Sequence, residues 1–293
     1  MYADLGRREA DDLTRLLARR YPNLRVEWTL GSDRALLARA RAERASGGGT
    51  WDVFVGDAAP TLAGTDGAAR WAPPEAVAIG PELVDPHGQW FALALTHHVL
   101  EYNPELVPFT SRPTAYETLR ESRFLGRLAV EDESLTWLKG LLESRGQQQA
   151  LDLLRPLADQ AVTIRSNPTD LSAYLAAGHH AVAVVNRLDV VERDRRAGAK
   201  AAWVGVEPVV VQPTALVVAE DAPRPNGARL VANFLLSADA QHALAALGRI
   251  PARVDVDPEP QGLVRGLRTH LTAPPVGHQE QELRGLYADL FGR

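Results

Sequence analysis

The stretch APRPNGARLVANFLLSADAQHALAALGRIP, residues 222–251, decides the fold more than any other part of the chain. Pro223 and Pro225 end the apolar run before it in a turn, because proline has no backbone N–H to donate and does not continue a preceding strand or helix. The residues that follow recur at helical spacing. They predict a helix with one buried face, formed by Leu230, Val231, Phe234 and Leu235.

A second helix follows at once. Ser237 is a good N-cap, and Leu244 and Leu247 lie three residues apart on one face. Gly248 and Pro251 come in the order that usually ends a helix. The stretch therefore predicts a compact pair of helices joined at a serine.

The order of residues in this stretch resembles a segment near the C-terminus of extracellular solute-binding proteins of the iron/thiamine/polyamine group (family 1, ferric-binding-protein-like). In that group, Pro-Asn, Ala-Arg, an apolar run, Leu-Leu-Ser and Gln precede a closing Gly-Arg-x-Pro. Further segments match the group in the same order along nearly the whole chain: Tyr21–Glu27, Arg39–Val53, Glu101–Pro108 and Phe124–Ala129. The resemblance implies an α/β fold of the periplasmic-binding-protein type II, with two lobes joined by two crossover strands around a central cleft.

The pattern along the chain predicts alternating strands and helices, which is typical of α/β folds. The first predicted set is the strand Arg25–Trp28, the helix 32–45 and the strand 52–56, and the alternation returns between 127 and 206. Two apolar stretches, Trp90–Leu100 and Val209–Val218, interrupt it, and the resemblance implies that they are the crossover strands. By the same analogy, lobe 1 comprises residues 1–95 plus 214–260, and lobe 2 comprises 96–213 plus 261–293, with a terminal helix over 280–291.

Composition excludes several classes of function. The net charge of −5 offers no basic field for nucleic acid, and no run of 18 apolar residues could span a membrane. The absence of cysteine excludes disulfides, thiolate metal sites and a cysteine nucleophile. None of the common catalytic motifs is present, neither Gly-x-Ser-x-Gly, nor His-Glu-x-x-His, nor a phosphate-binding loop with lysine. We therefore expect a protein that is not an enzyme and needs no cofactor.

The N-terminus carries no export signal in this sequence, because a helical pattern begins directly after Asp4. In the resembled group, an apolar strand ends in a tyrosine just before the first helix, and Tyr2 corresponds to that tyrosine. We therefore expect that upstream residues, a signal peptide included, precede this chain. The resemblance implies an extracytoplasmic location, in the periplasm or at the cell surface.

Ligands of open α/β sheets bind beyond the carboxyl ends of the strands, where helix N-termini present unpaired N–H groups. Polar residues that directly follow predicted strands are therefore the candidates for binding. Each has a plain structural alternative, such as a helix cap, a turn carboxylate or a solvated terminus. The candidate ligand-binding residues are Tyr2, Asp4, Ser32, Asp33, Asp57, Ser134, Thr136, Asn186 and Arg187.

Ferric-binding members of the group hold the metal with two adjacent tyrosines after the strand at 181–185, but here that position reads Asn186-Arg187-Leu188-Asp189. We therefore expect no bound metal, and Asp57 alone corresponds to an acidic ligand. Arg187 favours an anionic or polar solute, since a guanidinium offers forked donors to carboxylate or phosphate. The expected protein is a monomeric solute binder that closes by hinge bending and delivers its small-molecule solute to ABC permease subunits. A ferric-binding role and a sensory solute-binding role are the alternatives.

Overall fold

The computed structural model describes residues 1–47, 51–63, 67–132 and 134–292, which form the predicted α/β fold. The described strands are β1 (Tyr2–Ala3), β2 (Thr29–Leu30), β3 (Val53–Gly56), β4 (Phe91–Tyr102), β5 (Leu128–Glu131), β6 (Thr163–Arg165), β7 (Val182–Arg187), β8 (Ala202–Val204), β9 (Val209–Val218), β10 (Ile250–Pro251) and β11 (Thr269–Leu271). The described helices are α1 (Arg7–Arg20), α2 (Asp33–Ala45), α3 (Leu135–Arg145), α4 (Gln147–Ala158), α5 (Pro168–Ala176), α6 (Leu188–Arg196), α7 (Pro225–Leu235), α8 (Ala238–Ala246) and α9 (Gly277–Phe291). Of these described helices, none is both long and apolar enough to cross a membrane.

The chain divides into two compact units, and each unit is built from two separate segments. The first unit comprises Met1–Leu95 and Pro213–Leu263, and the second comprises Thr96–Gln212 and Val264–Arg293. Two of the three boundaries fall within β4 and β9, the two long apolar stretches that the sequence predicts as strands, and the third falls between Leu263 and Val264.

The sheet of the first unit is mixed, with parallel and antiparallel strand pairs. β1 lies between β2 and β3 and pairs with both in parallel, with Tyr2 opposite Thr29 on one side and Phe54 on the other. β3 then pairs in antiparallel fashion with β9, and β10 pairs with the first half of β4. All four residues of β3 are buried, as expected for a short apolar strand covered on both faces.

The predicted helix pair of residues 222–251 is present as α7 and α8 in this unit. Ser237 holds the N-cap position of α8, but its hydroxyl donates to the Phe234 carbonyl oxygen at 2.6 Å and so closes the end of α7. α1 packs against both helices, and a largely buried ion pair (2.6 Å) links Arg249, three residues after α8, to Glu9 at the start of α1. The tie combines the ion pair with a hydrogen bond from the Gly6 N–H to the same carboxylate.

The second unit has a parallel set of its own. β5 lies between β6 and β7 and pairs with both in parallel, while β7 and β8 each pair antiparallel with the second half of β4. α9 packs against α3 and α4 over the main core of this unit. At the centre of that core the Trp137 indole donates to the Tyr116 hydroxyl at 2.9 Å, so the largest buried side chain has its one polar atom satisfied.

Two sequence predictions are wrong in detail. The strand predicted over Arg25–Trp28 is displaced, and β2 spans Thr29–Leu30 instead. Leu230, predicted on the buried face of α7, is 37% exposed, and the buried face contains Ala228 and Ala232 with the other predicted residues. Both errors arise because a short periodic pattern predicts the kind of element better than its exact position in the chain or the face that it buries.

Candidate functional site

The predicted loop residues of the first unit meet at one edge of its sheet. Because β1, β2 and β3 are parallel, their carboxyl ends face the same way. Asp4, Asp33 and Asp57 follow these three strands, and the backbone joins the loops: the Asp4 N–H donates to the Val55 carbonyl oxygen at 2.9 Å. The structure therefore brings these three predicted residues to the same edge.

Asp33 links two of these loops through its side chain. Its carboxylate accepts a short hydrogen bond from the Ala58 N–H, one residue beyond Asp57. Gly56 makes this approach possible, since a Cβ at position 56 would collide with the Asp33 carboxylate. Ser32 holds the N-cap position of α2 and is exposed, and among the described residues its side chain makes no capping hydrogen bond.

Asp57 has a partner on β9. The buried Thr214 hydroxyl donates a short hydrogen bond to the Asp57 carboxylate. Sequence reasoning missed Thr214, although Gln212-Pro213-Thr214 interrupts the apolar run of the crossover strand and could have drawn attention to it. A hydroxyl donor fixes the rotamer of a carboxylate without cancelling its charge.

Tyr2 does not join this edge. Its side chain is 3% exposed, its hydroxyl donates to the Glu43 carboxylate at 2.8 Å, and its ring stacks on Trp51. The Arg39 guanidinium lies 5.1 Å from the ring centroid. Tyr2 is thus a core residue beneath α2, and the expectation that it contacts a ligand is corrected: only its backbone helps to place Asp4.

In the second unit, β5, β6 and β7 are parallel, and polar residues follow their carboxyl ends. Ser134 holds the N-cap position of α3, yet its hydroxyl donates to the Glu131 carboxylate at 2.8 Å. The Tyr287 hydroxyl donates to the Glu131 carbonyl oxygen at 2.5 Å. Thr136 is half-buried in the first turn of α3. Glu131, the last residue of β5, is therefore held by the Ser134 hydroxyl at its carboxylate and by the α9 residue Tyr287 at its carbonyl oxygen.

Asn186 and Arg187 are the last residues of β7, and their side chains have different roles. Asn186 is 3% exposed, so it is a supporting residue and not a surface that a ligand could reach directly. Arg187 is partly exposed and donates to both carboxylate oxygens of Asp189 at 3.2 Å and to the Thr96 hydroxyl at 3.4 Å. Asp189 and Thr96 are further residues that the sequence analysis did not select.

Glu101 is the most unusual charged residue of the second unit. It is fully buried on β4, and burial raises the pKa of its carboxyl to about 7, against the opposing effect of hydrogen bonds from Asn186 and Ser172. The nearby Glu192 contrasts with it. Burial alone would raise the pKa of Glu192, but hydrogen bonds from Arg195 and Trp203 outweigh burial and hold that pKa below its usual value.

Metal ligands need several anionic or imidazole groups directed at one point. Within residues 1–47, 51–63, 67–132 and 134–292, no group of three or more histidine, aspartate or glutamate side chains is arranged to hold a metal ion. His98, on β4, instead contacts Gln212 at 3.4 Å between the His98 Nε2 and the Gln212 Oε1.

Comparison with known proteins identifies the family to which this chain belongs. A family model described as bacterial extracellular solute-binding protein matches residues 72–264, and the chain belongs to that family. A search of curated protein sequences finds no significant match. Proteins of this family are the solute-binding components of ABC transporters, so the family implies a small-molecule solute, a permease partner and an extracytoplasmic location.

Solved structures share the fold at low sequence identity. Iron-bound HitA from Pseudomonas aeruginosa is 18% identical over 99% of this chain and 97% of its own, with a TM-score of 0.81. The substrate-binding protein of an ABC transporter from Agrobacterium tumefaciens is 16% identical over 99% and 93%, with a TM-score of 0.83. AfuA from Actinobacillus pleuropneumoniae, with fructose-6-phosphate bound, is 14% identical over 99% and 97%, with a TM-score of 0.79. These likenesses identify the fold as that of the periplasmic binding proteins of type II.

Proposed function

We propose that this chain captures a small polar solute, without transforming it, for delivery to the permease of an ABC importer. The two units serve as lobes that close on the solute by bending at β4 and β9, and the protein acts as a monomer in the periplasm or at the cell surface. Closure of this kind requires a ligand that stabilises the closed state more than the open one. A sensory role would use the same binding chemistry with another partner.

One observation carries the proposal: in each unit, polar residues gather at the carboxyl ends of a parallel strand set. In the first unit these are Asp4, Asp33 and Asp57, and in the second they include Ser134 and Arg187. Carboxyl ends of parallel strands are where α/β folds bind ligands. The side chains are also fixed in advance, because Asp33 and Asp57 accept hydrogen bonds from within their own unit, which lowers the entropic cost of binding.

The charge of the solute follows from what these groups already bind. Arg187 donates to both oxygens of Asp189, so a carboxylate or phosphate on the solute would compete with Asp189 for the guanidinium. The carboxylates of the first unit favour a solute that donates hydrogen bonds or carries positive charge. The proposal is therefore a polar solute that satisfies donors and acceptors together, such as a zwitterion, or an anion that displaces Asp189.

A thermal-shift screen tests this function. The purified full chain is heated with phosphonates, sugar phosphates, thiamine, polyamines, carboxylates and ferric complexes. A solute present at 100 times its Kd stabilises the native state by about 2.7 kcal/mol, which raises Tm by roughly 4 °C in a chain of 293 residues.

Two variants locate the binding. Asp57→Asn and Arg187→Gln should each remove most of the Tm rise given by the best solute. The matched controls, Asp11→Asn on the exposed face of α1 and Arg196→Gln in the last turn of α6, should retain it. Absence of any stabilising solute across the screen, or an equal rise in site and control variants, would contradict the proposed function.

A further inference from the structure

A chain of hydrogen bonds runs from the interior of the second unit to Arg187. The buried Glu101 carboxylate accepts from the Ser172 hydroxyl at 2.8 Å and from the Asn186 side-chain N–H at 2.5 Å. The Asn186 Oδ1 in turn accepts the backbone N–H of Arg187 at 2.8 Å. Three elements, β4, α5 and β7, meet at this one carboxylate.

The chemistry of these groups allows only one orientation of the Asn186 amide. An ionised carboxylate accepts and never donates, so it must face the NH₂ end of the amide. The same NH₂ end also donates to the Pro168 carbonyl oxygen at 3.2 Å. The Asn186 Oδ1 is therefore free to accept the backbone N–H of Arg187, and Arg187 is the residue that precedes α6.

We propose that Glu101 is a positioning residue of the candidate site: its ionised carboxylate orients Asn186 and thereby fixes the β7–α6 junction that presents Arg187. The proposal rests on the proposed function for what Arg187 then binds. Glu101 itself touches no solute, since it is fully buried. Packing alone gives no reason for an acid at this position, because a buried carboxylate costs free energy that an apolar residue would not.

Ionisation makes the proposal measurable. Because burial raises the pKa of Glu101 to about 7, both protonation states are populated near neutral pH. A protonated Glu101 is a weaker acceptor for the side-chain N–H of Asn186. The weaker bond alters the polarisation of the Asn186 side-chain amide and so the hydrogen bond that its Oδ1 accepts from the Arg187 N–H. β8 pairs with β4 at Glu101 and carries no charged residue. The other elements around Glu101 carry further titratable or charged groups, which are Asp170 and Tyr174 (α5), Asp189, Glu192, Arg193, Asp194, Arg195 and Arg196 (α6), Arg187 (β7), and His97, His98 and Tyr102 (β4).

The test is a pH titration followed by NMR. The full chain is labelled with ²H and ¹⁵N, and the Arg187 backbone amide and the Asn186 side-chain amide are followed from pH 5.5 to 8.5. We expect both signals to shift with one common midpoint near neutral pH. Glu101→Gln should abolish that shared titration. Glu192→Gln is the matched control, since Glu192 is a buried acid of the same unit that bonds to Trp203 and Arg195, and it should leave the titration in place.

A second variant covers the case in which Glu101→Gln does not fold. Ser172→Ala removes one hydrogen bond that lowers the pKa of Glu101, so the shared midpoint should move to higher pH. Signals that do not titrate overturn the proposal, because ionisation of Glu101 would then not reach Asn186 and Arg187. Signals that titrate equally in Glu101→Gln also overturn it, because a group other than Glu101 would then cause the shift. The titration needs no solute, so its failure is distinct from a failed thermal-shift screen.

Discussion

Replacement of Glu101 by glutamine should change the pH dependence of stability in a defined direction. The carboxyl titrates at its ordinary value of 4.5 in the unfolded chain and at about 7 in the folded protein. A raised pKa means that Glu101 contributes its full stability below pH 4.5, and that this contribution is lost as the pH rises towards 7. At 1.36 kcal/mol for each pKa unit, the loss amounts to about 3 kcal/mol.

The assay is urea unfolding of wild type and Glu101→Gln at several pH values between 4.5 and 8.5. Every other titrating group is common to both proteins, so its contribution cancels in the difference of the two unfolding free energies. That difference should move in favour of the variant by about 3 kcal/mol across the range. The control Glu192→Gln should give a difference that stays constant over the same range, because the pKa of Glu192 lies below its usual value. A constant difference for Glu101→Gln would refute the reasoning that burial of this carboxyl controls its ionisation.

Two further predictions concern stability alone. Gly140→Ala should destabilise the second unit by about 1–3 kcal/mol in urea unfolding, because a Cβ there would lie 2.5 Å from the Val210 side chain. This loss should exceed the gain from the better helix propensity of alanine. Gly285→Ala, where nothing lies near the added Cβ, should leave stability unchanged or increase it. Arg249→Met should cost about 3 kcal/mol by leaving the buried Glu9 carboxylate without its ion pair, whereas Arg20→Met, which breaks a more exposed pair with Asp239, should cost under about 1 kcal/mol. Equal losses in the two arginine variants would show that the Glu9 pair contributes no more than a surface contact.

The sequence predicted kinds of element well, because long apolar stretches and helix-ending residues constrain the backbone locally. β4 and β9 were evident as apolar stretches, and the helix pair α7 and α8 followed from its prolines, Ser237 and Gly248. The loop residues after strands could also be predicted, since parallel strands bring their carboxyl ends together whatever the sequence between them. Asp4, Asp33 and Asp57 therefore lie at one edge, as expected.

The direction of individual side chains could not be predicted. Tyr2 follows the expected strand, yet its ring lies in the core because Glu43 and Trp51, both distant in sequence, supply its partners. Glu101 looks like an ordinary alternating residue of a strand, and only the approach of α5 and β7 shows that it is enclosed. Such contacts depend on tertiary structure, which a periodic pattern does not contain.

The division of both units into two segments has a consequence for biosynthesis. The first unit requires Pro213–Leu263 and the second requires Val264–Arg293, so neither can be completed while the first two hundred residues alone have left the ribosome. β3 must wait for its partner β9, and the apolar side chains of β3 remain exposed in the meantime. The nascent chain should therefore expose apolar surface of the first unit at least until residues 213–263 have been synthesised.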